Sequence, residues 1–202
     1  MRRPGLTIVL LALFSGLALL VGWSAVYGPP PRLVSLLMHT RLGDRMAQHL
    51  LRATAPAAPE GVTVLGPGDA MPDWTLPDSH GRPQPLAQWH GKRLLINFWA
   101  TWCLPCLAEM PALAAAQRAH AGGGVQVIGI AMDDPQAVRA FLRTHPPAYP
   151  ILLGQALRPD PRVVLGDTRR ALPFSVLVGA DGRIMRTRLG ALDNATLARW
   201  LR

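Results

Sequence analysis

The apolar positions of the chain fall into three regimes. Residues 6–27, LTIVLLALFSGLALLVGWSAVY, run for twenty-two residues without a charge. At about 1.5 Å per residue, that length just spans a bilayer core of roughly 30 Å. Over residues 34–52 the apolar positions thin to one in four. Met38, Leu42, Met46 and Leu50 recur on one side of an expected helix, while Arg41, Arg45 and Arg52 gather on another. From residue 62 the pattern changes again, to short apolar runs separated by helical segments.

That third regime predicts the elements of an α/β domain. MPDWTLPDSHGRPQPLAQWHGK reads as short strands around a His-Gly turn, and RLLINFWA (93–100) as a strand buried on both faces. LPCLAEMPALAAAQRAH (104–120) has helical composition and is stopped by GGG at 122–124. VQVIGIAM (125–132) is a second buried strand. DDPQAVRAFLRTH (133–145) is a helix with acidic residues and Pro135 at its start. YPILLG (149–154) reads as a further strand and residues 159–171 as an irregular or short helical crossing. FSVLVGADGRIMRTRLG (174–190) is a hairpin turning at ADGR, and LDNATLARWL a closing helix capped by Asp193 or Asn194. This order implies a central mixed sheet with helices on both faces.

The resulting organisation is a tail (1–5), a transmembrane anchor (6–27), a juxtamembrane helix and linker (28–61) and the α/β domain (62–202). Prolines in GPPPRL stiffen the exit from the apolar run, and ATAPAAPEG (53–61) is a linker by composition. An anchor is favoured over a cleaved signal peptide: the run exceeds the usual 7–15 residues, and GWS and VYG are poor cleavage sites. Arg2 and Arg3 argue for a cytoplasmic N-terminus, against Arg32, Arg41 and Arg45 beyond the span. The domain is therefore expected on the periplasmic or outer face of a bacterial cytoplasmic membrane, with a single pass. The 34–52 helix would lie on lipid or a partner, or pack on its own domain.

The net charge of +9 changes this picture little. All but one of the basic residues are scattered arginines, and aromatics are only 6% of the chain, so neither a phosphate-tracking stripe nor a base-stacking surface is present. Nucleic acid is not an expected partner.

Chemistry concentrates at FWATWCLPCLAEMP (98–111), which holds the only two cysteines of the chain. Such a pair can form a local disulfide, bind a metal, or stay reduced in a core. Cys103 falls where a buried strand ends and a helix starts, and Cys106 sits one turn inside on the same face. Free backbone N–H groups and the positive helix end would stabilise a Cys103 thiolate. Cys103 is thus the expected nucleophile and Cys106 the thiol that resolves a mixed disulfide. Pro105 occupies the first turn, where a missing N–H does no harm. Trp102 is expected to shield the sulfurs, and Trp99 to sit in the core.

RLLINFWATWCLPCLAEMPAL resembles the thioredoxin superfamily, and within it the membrane-tethered TlpA/ResA group of disulfide reductases, with similarity from about Met71 to the C-terminus. The resemblance implies a thioredoxin-like fold. It also implies that Leu172 and Pro173 border the substrate groove, with Pro173 as a cis-proline against the active-site disulfide. Glu109 matches the group's CxxE acid, placed to exchange protons with the thiols, and Pro111 matches the proline that kinks the active-site helix. No cofactor beyond the redox-active Cys103–Cys106 pair is implied. Implied partners are exported proteins carrying thiols or disulfides, such as apocytochrome c or copper-site proteins, and a membrane electron donor of the thiol-transferring type. The chain departs from the pattern in two places. Asn97 stands where thioredoxin has a buried aspartate, which shifts proton handling to Glu109 or water, and Phe174 and Ser175 follow the proline where many relatives carry threonines.

Three other readings compete. A copper or other metal carrier would use Cys103, Cys106 and a histidine, yet all six histidines lie far from the motif in sequence. A peroxidase on this fold needs threonine or serine three residues before the reactive cysteine, where Ala100 stands. A chaperone without redox work would tolerate loss of Cys103.

Overall fold

The computed structural model of the protein describes residues 40–120 and 122–202. They divide between two compact units, one ending at Ala53 and one running from Thr54 to Arg202. In the first unit, helix α1 (Arg41–Ala53) carries Leu42, Met46 and Leu50 largely exposed along one side. Met38 and the rest of the expected helix before residue 40, like the apolar run 6–27, lie outside the described residues. No helix among the described residues is long and apolar enough to cross a membrane. The second unit includes Thr54, whose carbonyl and hydroxyl both accept from the Arg169 guanidinium at 2.6 Å, so the expected linker 53–61 is tied to it at that end.

The second unit opens with a hairpin, β1 (Thr75–Pro77) and β2 (Pro83–Pro85), followed by a 3-10 turn at Leu86–Trp89. Gly81 takes φ of 83° in the turn, and the Asp78 carboxylate accepts from the backbone N–H groups of His80 and Arg82, so the expected His-Gly turn forms. Then come β3 (Arg93–Trp99), α2 (Leu104–His120), β4 (Val125–Ala131) and α3 (Pro135–Thr144). The chain closes with β5 (Ile151–Leu153), the single turn α4 (Pro161–Val164), β6 (Phe174–Val178), β7 (Ile184–Leu189) and α5 (Asn194–Trp200). Helix starts follow the local chemistry. Asp134 accepts from Gln136 and Ala137 N–H ahead of Pro135, and Asp193, not Asn194, caps α5 through Thr196 N–H at 2.6 Å.

The sheet is mixed, in the order β5-β4-β3-β6-β7, with β3, β4 and β5 parallel and β6 and β7 antiparallel to their neighbours. Alternation along β3 divides the core between two faces. Leu95 and Trp99 join Cys106 and Leu113 of α2, Val138 of α3, and Leu197 and Trp200 of α5. Leu94, Ile96 and Phe98 turn the other way, onto Leu76, Leu86 and Leu165. The longer helices therefore share one face, and the hairpin, the 3-10 turn and α4 cover the other, so helical elements lie on both faces as expected. Each such fully buried aliphatic contributes roughly 1.5–3 kcal/mol by leaving water, which is why the central strands need no polar face.

Gly129, paired with Asn97 across β3 and β4, keeps this packing closed. A Cβ there would stand 2.6 Å from Ile151 Cδ1, 3.2 Å from Trp99 Nε1 and 3.3 Å from the Tyr149 ring. Gly129→Ala is expected to overpack the site and lower stability by about 1–3 kcal/mol, read as a drop in urea midpoint at unchanged m-value.

Candidate active site

The end of β3 delivers the reactive pair. After Trp99 the chain turns through Ala100–Trp102, and the carboxylate of Asp133, just past the parallel strand β4, grips that turn. It accepts from Thr101 N–H at 3.0 Å and from the Thr101 hydroxyl at 2.5 Å. Burial alone would raise the Asp133 pKa, but these bonds and the Asp134 N–H hold it below its ordinary value. Neither Thr101 nor Asp133 was marked as a site residue by the motif, since their contact joins two strands far apart in sequence.

Cys103 occupies the capping position of α2. Its carbonyl accepts from Leu107 N–H at 3.1 Å, and its Sγ lies 3.3 Å from Cys106 N, whose N–H points at it. A thiolate at this atom would meet that N–H and the positive end of a long helix, which favours ionisation. In the structure the pair is oxidised. The sulfurs are bonded at 2.04 Å with Cα atoms 5.3 Å apart, so the disulfide is the state realised among the three that the spacing allowed. Cys106 is completely buried and Cys103 is 4% exposed, which leaves Cys103 as the sulfur nearer an incoming partner.

The surface beside the disulfide is apolar. Trp102 is 69% and Leu104 77% exposed, so most of the indole faces solvent while the cysteines beneath this rim stay nearly closed off. Leu172 is half-buried and Pro173 buried, and the Leu172–Pro173 bond is cis, as the resemblance implied. A second cis bond, Arg158–Pro159, was not anticipated. The Pro173 carbonyl accepts from Gly190 N–H at 2.8 Å, which anchors this loop to the end of β7. Pro105 lies exposed in the first turn of α2, and Pro111 lies inside that helix, which runs on to His120.

Behind the sulfurs lies a buried polar cluster. Glu109, 4% exposed, stands in the second turn of α2 and faces inward. Its Oε1 accepts from Asn97 Nδ2 at 2.8 Å and its Oε2 from Leu192 N–H at 2.5 Å. Burial raises the Glu109 pKa above its ordinary value, while the Leu192 and Asn97 donors and the positive charge of Arg188 oppose the rise. Cys106 and Glu109 are three residues apart on one helix and both face the core, which puts the carboxyl on the side of the buried thiol. Asn97 also donates to Ser175 Oγ at 3.0 Å. The departures at Asn97 and Ser175 are thus neighbours across β3 and β6, which single positions in sequence could not reveal.

Among the described residues, no three His, Cys, Asp or Glu side chains gather as a metal-ligand set.

A family model described as AhpC/TSA family matches residues 67–188. Thiol-disulfide oxidoreductase ResA of Bacillus subtilis is 25% identical over 138 residues, covering 68% of this chain and 75% of that protein. The protein of the same name from Geobacillus thermodenitrificans is 26% identical over 140 residues, covering 69% and 78%. A crystal structure of a thiol:disulfide interchange protein of the thioredoxin family from Chlorobium tepidum superposes with a TM-score of 0.58 at 25% identity, covering 67% of this chain and 94% of that one.

Proposed function

We propose that this chain, which belongs to the AhpC/TSA family, works as a membrane-tethered reductase of disulfides in exported proteins. It is a thiol–disulfide oxidoreductase of thioredoxin-like fold. The observation that carries this reading is a disulfide at a helix N-terminus, packed in one core cluster with the Leu172 that precedes a cis-proline, and followed by a buried acid three residues after Cys106.

In the reducing direction the Cys103 thiolate attacks one sulfur of a substrate disulfide. A Cys103–substrate bond forms, and the other substrate sulfur leaves as a thiolate that takes a proton from solvent. Glu109 then accepts the Cys106 proton. The Cys106 thiolate attacks Cys103, the Cys103–Cys106 bond forms, and the second substrate sulfur is released. Two electrons have passed to the substrate, and an external dithiol must restore the enzyme. A membrane electron donor of the thiol-transferring type would supply it.

The tether rests on the uncharged run at residues 6–27 and the basic residues ahead of it. A chain with no other cysteine to mispair suits an oxidising compartment, and the apolar rim of Trp102, Leu104 and Leu172 suits an unfolded or extended client. Apocytochrome c and copper-site proteins are the substrates this reading names. The full chain, made in bacteria, is expected in carbonate-washed membranes with its C-terminal domain open to protease from the periplasmic side. After extraction it should reduce a protein disulfide when fed dithiol. Recovery in the soluble fraction would overturn the tether, and failure to catalyse dithiol-driven reduction would overturn the reductase.

A further inference from the structure

Both oxygens of the Glu109 carboxyl accept from N–H donors, an arrangement that favours the carboxylate over the acid. Yet the proposed proton transfer makes this group neutral in every cycle. A proton on Oε1 along the direction from which Asn97 Nδ2 now donates would oppose that donor, and one so placed on Oε2 would oppose Leu192 N–H. The backbone N–H cannot turn away. The Asn97 amide can, since half a rotation about its terminal torsion exchanges Nδ2 and Oδ1 within nearly the same volume. Its Oδ1 is buried with no hydrogen-bond partner, so the rotation breaks nothing on that side. The remaining partner of Asn97 is Ser175, completely buried, whose hydroxyl can accept in one state and donate in the other.

We propose that Asn97 and Ser175 are positioning residues for proton transfer at Glu109: the Asn97 amide turns over when Glu109 gains its proton, and the Ser175 hydroxyl reverses with it. In the carboxylate state Asn97 Nδ2 donates to Glu109 and Ser175, and Oδ1 is orphaned. In the acid state Oδ1 occupies that place and accepts from the Glu109 O–H and the Ser175 O–H, and the amide N–H groups are orphaned. The carboxyl keeps its position in both states, held by Leu192 N–H. The bond from Asn97 Nδ2 to a charged carboxylate is stronger than the neutral bond that would replace it, so the pair biases Glu109 toward the carboxylate. That bias opposes burial and keeps the proton transferable. An aspartate at position 97 would do the reverse, setting a second carboxylate against the first. The other groups bearing on Glu109 are Arg188 of β7, whose Nε donates to the Ala191 carbonyl at 3.3 Å, and Tyr149 ahead of β5. Cys106 lies three residues before Glu109 on α2.

The inference deepens the oxidoreductase reading and rests on it for its purpose, but its test needs no turnover. The oxidised full chain in detergent, with isotope-labelled Asn and Glu, is titrated by NMR. The Asn97 side-chain amide protons are expected to shift with the same midpoint as the Glu109 carboxyl carbon. Asn97→Ala should raise that midpoint by about one pH unit or more. Ser175→Ala, a smaller change, should keep the fold by circular dichroism while altering the Asn97 amide response. If the Asn97 amide signals stay unmoved through the Glu109 titration, the inference is overturned. It is equally overturned if Ser175→Ala leaves both the response and the midpoint unchanged. Either result can occur in a fully active enzyme, and a dead enzyme can still show the coupled titration, so the two readings fail separately.

Discussion

Cys103→Ala is expected to abolish protein-disulfide reduction, a loss of about 10³-fold or more toward uncatalysed thiol exchange. Cys106→Ala is expected to stall one step later, accumulating a covalent enzyme–substrate disulfide that a non-reducing gel resolves and added dithiol dissolves. The asymmetry is the informative part. Both variants delete the same cross-link and lose the same stabilisation, about 2 kcal/mol for so small a loop in the chain-entropy account. Unequal trapping therefore cannot come from folding. It follows from geometry, because only Cys103 has a sulfur at the capping position with an N–H directed at it, while Cys106 is sealed in the core. Equal trapping by the two variants would contradict the assigned roles, and full turnover by either would end the redox reading.

Glu109→Gln is expected to separate stability from activity. The folded-state pKa of Glu109 lies above its ordinary value of 4.5, chiefly through burial. The folded protein thus holds this proton more tightly than the unfolded chain does. The stability contributed by the neutral acid is fully present below about 4.5 and is lost as pH rises through the folded value. Asp167 is shifted the same way by burial, whereas Asp133, Asp160 and Asp193 are held low and act oppositely. The difference between wild type and Glu109→Gln isolates the one group. Their urea midpoints should diverge as pH rises from 4.5, with the glutamine variant the more stable at neutral pH. Resolution of the mixed disulfide should nevertheless slow by about 10²-fold, the usual scale for losing a positioned acid–base group. Its pH dependence should flatten. Parallel midpoints across the titration would mean that burial does not raise this carboxyl's affinity for its proton.

Much of the architecture could be read from local chemistry. The buried strands announced themselves as apolar runs, Asp134 and Pro135 marked a helix start, and ADGR marked the hairpin. The reactive pair was equally legible, since a sulfur at a strand-to-helix junction acts through the backbone groups beside it. Pro173, with its cis bond, and Glu109 were reached through the family motif, and the structure supplied what the motif lacked, a buried carboxyl with two donors. That the three longer helices share one face was not legible, because apolar spacing tells a helix to bury one side without saying against which face of the sheet. The Thr101–Asp133 clamp and the junction of Asn97, Ser175 and Leu192 were invisible for a related reason: each joins residues between 32 and 83 positions from their partners.

The sequence by itself determined where strands and helices form, which two sulfurs can meet, and which of them stands at the helix entrance, because each depends on neighbours within a turn or a strand. Only the tertiary structure decided that Glu109 is buried, what holds its two oxygens, and how far Cys106 is closed off from solvent. Burial and donor placement arise where separate strands and loops converge, and a carboxyl's affinity for its proton is set by those surroundings.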